Sequence, residues 1–158
     1  MSVSVSLTGS VPPRKQFVWL RAAVKWADEV GPAVRTALKA NAPVGQGPRA
    51  GRLRDSIRYQ RTTTGASVSI TFNAYTPYAR YVIEGTRPHA IYPVAARYLH
   101  FKGRSGGDVF VGPRGSSAHV NHPGTKANPF NRRAMQEMRP YLQATYTRIM
   151  REEIGGTP

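Results

Sequence analysis

Two long apolar stripes of helical period, one near each end of the chain, bracket a middle whose apolar residues return every second position. That order limits the chain to helices combined with a sheet, because a run of period 3.6 cannot lie flat as a strand. From Arg14 to about Ala40 the stripe is Phe17, Leu20, Val24, Ala27, Val34 and Leu38. It predicts an amphipathic helix roughly 40 Å long. Pro32 lacks an amide donor and is expected to kink or split that helix near Val30 and Gly31. Arg21, Lys25, Arg35 and Lys39 fall mostly off the stripe, on what is expected to be a solvated face. The second stripe, Ala134, Met135, Met138, Leu142, Tyr146, Ile149 and Met150, predicts another long helix from about Asn128. Pro129 suits its first turn, Pro140 should bend it, and Gly155-Gly156 should stop it.

Between and before the helices the period is two. Val3, Val5 and Leu7 alternate with Ser2, Ser4 and Ser6, which predicts a short strand ended by Gly9-Ser10, with Pro12-Pro13 where a helix can begin. Residues 41–51 hold two Pro and three Gly and read as a mobile loop. Arg52 to Ile57 reads as a helical turn, Arg58 to Thr64 as a strand, and Val68, Ile70 and Phe72 as a second strand. Together these strands predict an antiparallel hairpin with one buried face. Tyr78, Tyr81 and Val82 have helical spacing, so a short helix is expected over 77–84, ended by Gly85. Further strands are expected near 89–94, 97–102, 108–111 and 116–121, with a glycine-rich tip over 103–107. The fold class that results is α+β. It is a single domain over 1–158, an antiparallel β-sheet with a long N-terminal and a long C-terminal helix packed on it. Hydrophobic residues make up 40% of the chain, enough for one core.

Charge is the strongest indication of function. Lys and Arg total 23 against 8 acids, a formal net charge of +15, and 18 of the 23 are Arg. Arg is weakly hydrated and forks onto carboxylates and phosphates, so this balance points to an anionic partner: nucleic acid or an acidic protein face. Arg49, Arg52, Arg54, Arg58 and Arg61 cluster within thirteen residues around Tyr59 and could hold a phosphate backbone or bridge subunits. Arg104 adds a cation at the glycine-rich tip. No helix-turn-helix, zinc-finger or RNA-recognition signature accompanies them.

Other chemistries find little purchase. Cys is absent, which removes disulfides, thiolate metal sites and Cys nucleophiles. His119 and His122 have metal-pair spacing, but no acid lies nearby to complete a site, so no metal and no cofactor are expected. Asp55 sits among arginines where ion pairing accounts for it, and the adjacent Glu152 and Glu153 are expected to diverge on their helix. No phosphate loop or nucleophile elbow is present, so the chain does not read as an enzyme. No apolar run is long enough for a membrane helix, and the Ser/Val start does not read as a secretory signal.

Three segments resemble one family. Ala42-Pro43-Val44 followed by Gly51-Arg52-Leu53-Arg54-Asp55-Ser56-Ile57 is similar to an "Ala-Pro-Val-Asp-Thr-Gly-x-Leu-Arg-x-Ser-Ile" element. Tyr78 to His89 resembles a "Tyr-Ala-x-Tyr-Val-Glu-x-Gly-Thr" element, and His122 to Phe130 resembles "His-Pro-Gly-Thr-x-x-x-Pro-Phe". Together they resemble the tail-component family of long-tailed bacteriophages, the neck or tail-completion proteins of the head–tail connector. Two departures stand out. The usual Asp-Thr is replaced by the longer Gly45 to Ala50, and Arg80 stands where the family often has Pro.

The resemblance implies a structural virion protein, assembled in the host bacterial cytoplasm, that forms a ring between head and tail and lines the genome passage. The implied partners are its own copies (six, or twelve), head-closure or adaptor proteins, tail terminator or tube proteins, and DNA without regard to sequence. Alternatives are a tail terminator, a head-closure protein, or a cellular basic protein that coats nucleic acid. Six copies would carry about +90, which neighbouring rings or DNA must offset. Arg49, Arg52, Arg54, Arg58, Arg61 and Arg104 are the candidates for that contact. Stability roles are expected for the rest. Leu53 and Ile57 pack the short turn against the hairpin, and Gly85 lets the chain reverse with Tyr78 and Tyr81 beneath it. His122, Pro123 and Gly124 form a tight turn that aims Phe130 into the core.

Overall fold

The structure, a computed structural model, describes residues 2–7, 16–65, 67–103 and 105–155. Its elements run β1 (Ser2–Leu7), α1 (Gln16–Asn41), α2 (Arg52–Asp55), β2 (Ile57–Thr64), β3 (Ser67–Ala74) and α3 (Ala79–Glu84). Then come β4 (His89–Ile91), β5 (Leu99–Lys102), β6 (Asp108–Val111), β7 (Val120–His122) and α4 (Phe130–Ile154). This is the α+β class, with a long helix near each end and small antiparallel sheets between. The expectations placed on Gly9-Ser10, Pro12-Pro13 and Arg104 lie outside the described residues.

β1, β3 and β2 form a three-stranded antiparallel sheet in that spatial order. Val5 pairs with Ile70 on one side of the central strand and Arg61 with Ile70 on the other. Alternation on β3 puts Val68, Ile70 and Phe72 wholly inside, while Ser67, Ser69, Thr71 and Asn73 take the half-buried opposite face. The buried face of the sheet lies against α1, and α4 packs along α1.

α1 is therefore covered on two sides, and its buried stripe is broader than the sequence predicts and rotated from it. Trp19, Ala22, Ala23, Trp26, Ala27, Val30, Val34 and Leu38 are inside, whereas Phe17 is 84% exposed and Leu20 and Val24 are only half-buried. The alanines carry little apolar weight in a sequence pattern, yet their small side chains let α4 approach closely. The Trp26 indole then donates to the Leu142 carbonyl of α4 at 3.3 Å. Nor does Pro32 split the helix, which runs unbroken through it. Pro32 sits on the exposed side, where its one missing hydrogen bond costs least. The preceding Gly31 has a packing role: a Cβ there would lie 2.6 Å from the Tyr59 ring of β2, so the absent side chain seats Tyr59 against the helix. Pro140 likewise lies on the exposed side of an unbroken α4.

Residues 86–125 leave this body as a narrow β arm. Thr86 pairs with Thr125, then β4 with β7 (His89 opposite His122) in the same register, then β5 with β6 nearer the tip. The four strands are shorter than expected and form two separate ladders; the expected strand at 116–121 is the three-residue β7. Two-stranded ladders have no second layer to bury a face against. Among the described residues of the arm, Pro93 alone is fully buried.

Candidate docking cleft

The three motif segments, far apart in sequence, meet at one place. Ala42, Leu53 and Ile57 of the first segment are buried. Between them the Gly51 amide donates to the Val44 carbonyl at 2.7 Å, so residues 44–51 close into a compact loop ahead of α2. Gly51 makes that closure with φ +79. Arg52 is exposed and its side chain has no partner among the described residues, while the Arg54 guanidinium binds the adjacent Asp55 carboxylate at 3.0 Å. That hydrogen bond holds the Asp55 carboxyl below its ordinary value.

The second and third segments lock together backbone to backbone. The Thr86 amide donates to the Thr125 carbonyl at 2.9 Å. The Thr125 amide donates to the Thr86 carbonyl at 3.1 Å and to the Thr86 hydroxyl at 2.9 Å. Glycine is required on both sides. A Cβ at Gly85 (φ +75) would lie 2.5 Å from the Thr125 carbonyl oxygen, and one at Gly124 (φ +87) 2.3 Å from that of Thr86. Further along, the Asn128 amide donates to the Val82 carbonyl at 2.9 Å, and Phe130 enters the core at the first turn of α4. The His122-Pro123-Gly124 turn is tied by the Gly124 amide, which donates to His122 Nδ1 at 3.0 Å.

Tyr78 and Tyr81 do not lie beneath Gly85 as expected. They are 40% and 58% exposed, because α3 packs through Ala79, Val82 and Ile83, leaving both phenols on its outer side. Tyr78 instead lines an open cleft of about 370 Å³ with Val44, Arg49, Leu53, Val82 and Lys126. All three motif segments contribute to its wall. The sequence reading missed this cleft, and the missing signal was spatial: Lys126 and Arg49 are 77 positions apart.

The arginine cluster separates in space. Arg61 lies on the helix-facing side of β2 and binds Asp28 of α1 at 2.5 Å; Arg58 alternates to the other side and donates to the Asp55 and Ile57 carbonyls. Among the described residues the side chains of Arg49 and Arg52 remain without a hydrogen bond or ion pair, as do those of Arg87, Lys126, Arg132, Arg139 and Arg151. The acids show the reverse. Asp28, Glu29, Asp55, Glu84, Asp108, Glu152 and Glu153 each bind a cation of the chain, and Glu137 accepts from the Asn41 amide at 2.7 Å.

Two expectations about charged helix residues are corrected. Glu152 and Glu153 converge, each carboxylate lying 3.2 Å from the Lys25 ammonium, with Arg21 on Glu153 at 2.6 Å and Arg148 on Glu152 at 3.2 Å. Residues a helical step apart can both reach one long lysine when it lies between them on a facing helix. Arg21 and Lys25 are thus the fastening of α4 to α1. Hydrogen bonds to Lys25 first, and to the arginines, hold both glutamates below their ordinary value; the same bonds raise Lys25.

The histidines are held by local contacts. His89 Nδ1 lies 2.9 Å from the Arg87 carbonyl, His119 Nδ1 2.8 Å from that of Ser117, and His100 Nε2 2.8 Å from Asp108. Among the described residues no group of three or more His, Asp or Glu could hold a metal ion, and no helix is long and apolar enough to cross a membrane.

No curated protein and no solved structure matches the chain. Residues 15–85, from the start of α1 to the glycine that faces Thr125, match the model of the HK97-gp10-like family, described as "Bacteriophage HK97-gp10, putative tail-component".

Proposed function

We propose that the protein is a structural component of a phage tail, the repeating subunit of a homo-oligomeric ring in the neck; the family match over residues 15–85 supports the first part. The ring joins the head-closure or adaptor side to the tail terminator or tube and surrounds the genome's path. It acts by assembly and performs no catalysis. The observation that carries the reading is the β arm. It presents Tyr92, Val94, Phe101 and Phe110 to solvent, with Val94 78% exposed, and among the described residues no layer of the chain covers them. An arm of that kind gains its stability by lying on another surface. In a closed ring that surface is the next subunit, since one face of each copy must bind a different face of its neighbour. β1 and β2 also leave both outer edges of the main sheet open, so a second contact of a different kind is at hand.

The test is the mass of nuclease-treated protein by light scattering, for the wild type and for Val94→Asp combined with Phe110→Ser. The reading expects a discrete assembly for the wild type and a folded monomer for the variant. Equal masses would refute the arm as the subunit contact.

A second reading, a basic protein that coats nucleic acid, is favoured by the seven unpartnered cations named above. It expects tight binding to duplex DNA by a monomer, with affinity falling steeply with the logarithm of salt concentration.

A further inference from the structure

We infer that the cleft between the 44–51 loop and the Thr125–Asn128 segment is a docking site for a short acidic peptide segment of another virion protein, anchored by an apolar side chain. The inference rests on the reading of the protein as a joining subunit and gives the chemistry of one partner. The wall of the cleft is apolar but uncovered. Leu53 and Val82 form its inner part, and Val44 and Tyr78, 47% and 40% exposed, form its edge. Its volume of about 370 Å³ falls within the range of small-ligand pockets. Arg49 and Lys126 also line it, and neither side chain has a hydrogen bond or ion pair among the described residues. An apolar cleft edged by two free cations complements a segment with an apolar residue next to acids.

The charge pattern of the whole chain decides whose acids these are. All eight carboxylates already take hydrogen bonds from partners within the chain, seven of them from cations. A second copy brings the same excess of 23 basic over 8 acidic side chains, with seven of those acids already held by its own cations, so it adds more cations than it can neutralise. The complement is therefore a different polypeptide. The phosphate backbone of duplex DNA would satisfy the two cations but presents no protruding apolar side chain to fill the wall between them. Position supports the same conclusion: the first, second and third motif segments all contribute to the cleft, so its shape depends on the Thr86–Thr125 lock that holds them together.

The experiment uses the full chain. A randomised twelve-residue peptide library is selected against the wild type and against Arg49→Ser combined with Lys126→Ser, and the most enriched wild-type peptide is titrated. The expected result is enrichment of peptides with a large apolar residue flanked by Asp or Glu. Their affinity should fall about tenfold in the double variant, and also in Tyr78→Ser, but stay unchanged in Arg139→Ser, which removes a free cation on α4. Enrichment of peptides without acids, or equal affinity for wild type and double variant, would overturn the inference. A single-stranded oligothymidine that displaces the peptide, and itself loses the same factor in the double variant, would make the cleft a nucleic-acid site instead. The oligomeric mass of each variant is read separately, so failure of the ring and failure of the cleft are distinct results.

Discussion

Thr86 and Thr125 face each other across an isolated antiparallel bridge and exchange both backbone hydrogen bonds, at 2.9 and 3.1 Å. The glycine before each of them leaves space that the other strand's backbone occupies. This lock joins the root of the β arm to the last helix and holds one wall of the cleft. The family match ends at Gly85, one residue short of the contact, and the third motif segment completes it.

Alanine at Gly85 or Gly124 meets both an unfavourable φ and a backbone oxygen at 2.5 or 2.3 Å. Each substitution should cost upwards of about 2 kcal/mol, since left-handed backbone alone costs roughly 1–2 kcal/mol for a residue with a Cβ. Gly45→Ala is the control: φ is +72 there but nothing lies within 4 Å, so its cost should stay near the backbone penalty of about 1 kcal/mol. Denaturant midpoints of the three variants check this. Equal losses would show that the close approach at the lock contributes nothing.

Phe130 is 2% exposed at the start of α4 and lines a small apolar pocket with Leu38, Ile57, Phe72 and Ile83. Phe130→Ala should destabilise the fold by about 3–5 kcal/mol through lost burial and a cavity. Phe17→Ala, on the expected stripe of α1 but exposed, should change stability by less than about 0.5 kcal/mol. Thermal or denaturant melts of the pair test the rotated stripe of α1 directly.

The fastening of α4 to α1 should depend on pH in a definite direction. Glu152 and Glu153 are held below the ordinary glutamate value of 4.5, so their contribution is present above it and is lost as pH falls through the lower folded values. Lys25 is raised above 10.5, so its contribution is full below that value and is lost only as pH rises through the higher folded one. Melting midpoints of the wild type and of Glu152→Gln combined with Glu153→Gln should differ at pH 7, and the difference should shrink as pH falls below 4.5. High salt should narrow the difference at pH 7, because the pairs are partly exposed. Parallel pH curves would show that the cluster does not hold the helices.

The periodic elements were legible in the sequence for a physical reason: Val68, Ile70 and Phe72 alternate because the pleat buries every second side chain, and Met138, Leu142 and Ile149 follow a helical face. What was not legible depended on the third dimension. Gly31-Pro32 reads as a break, yet the helix continues because the glycine receives Tyr59 from a strand 28 residues away and the proline faces solvent. Glu152 and Glu153 read as divergent until α1 brings Lys25 between them. The candidate site was half visible. The arginines from Arg49 to Arg61 were recognisable as a group, but strand alternation sends Arg61 to Asp28, while the 44–51 loop puts Arg49 on the cleft that Lys126 also lines. The motif residues read as stability elements, and at Gly85 and Gly124 the fold shows a close backbone approach that leaves no space for a side chain. Their convergence on one cleft required the fold.

If the ring meets the head and tail through its free cations, Arg49→Ser with Arg52→Ser should lower the yield of joined particles, because neither side chain has an internal partner. Arg61→Ser breaks an internal pair with Asp28 and should instead act through stability, with a small loss in the melt and little effect on joining. Complementation of a phage lacking the protein, scored by electron microscopy for tailless heads, checks both. An equal defect from Arg61→Ser and from the Arg49/Arg52 pair would contradict the division of the cluster.

The most direct measurement is the mass of the nuclease-treated protein in solution, by native mass spectrometry across a salt series. The account predicts a closed assembly of fixed copy number that persists as salt rises, since exposed apolar side chains of the arm hold it, and that falls to monomer in Val94→Asp with Phe110→Ser. A monomer at every salt concentration that binds duplex DNA with a steep salt slope would contradict the account and establish the nucleic-acid reading in its place.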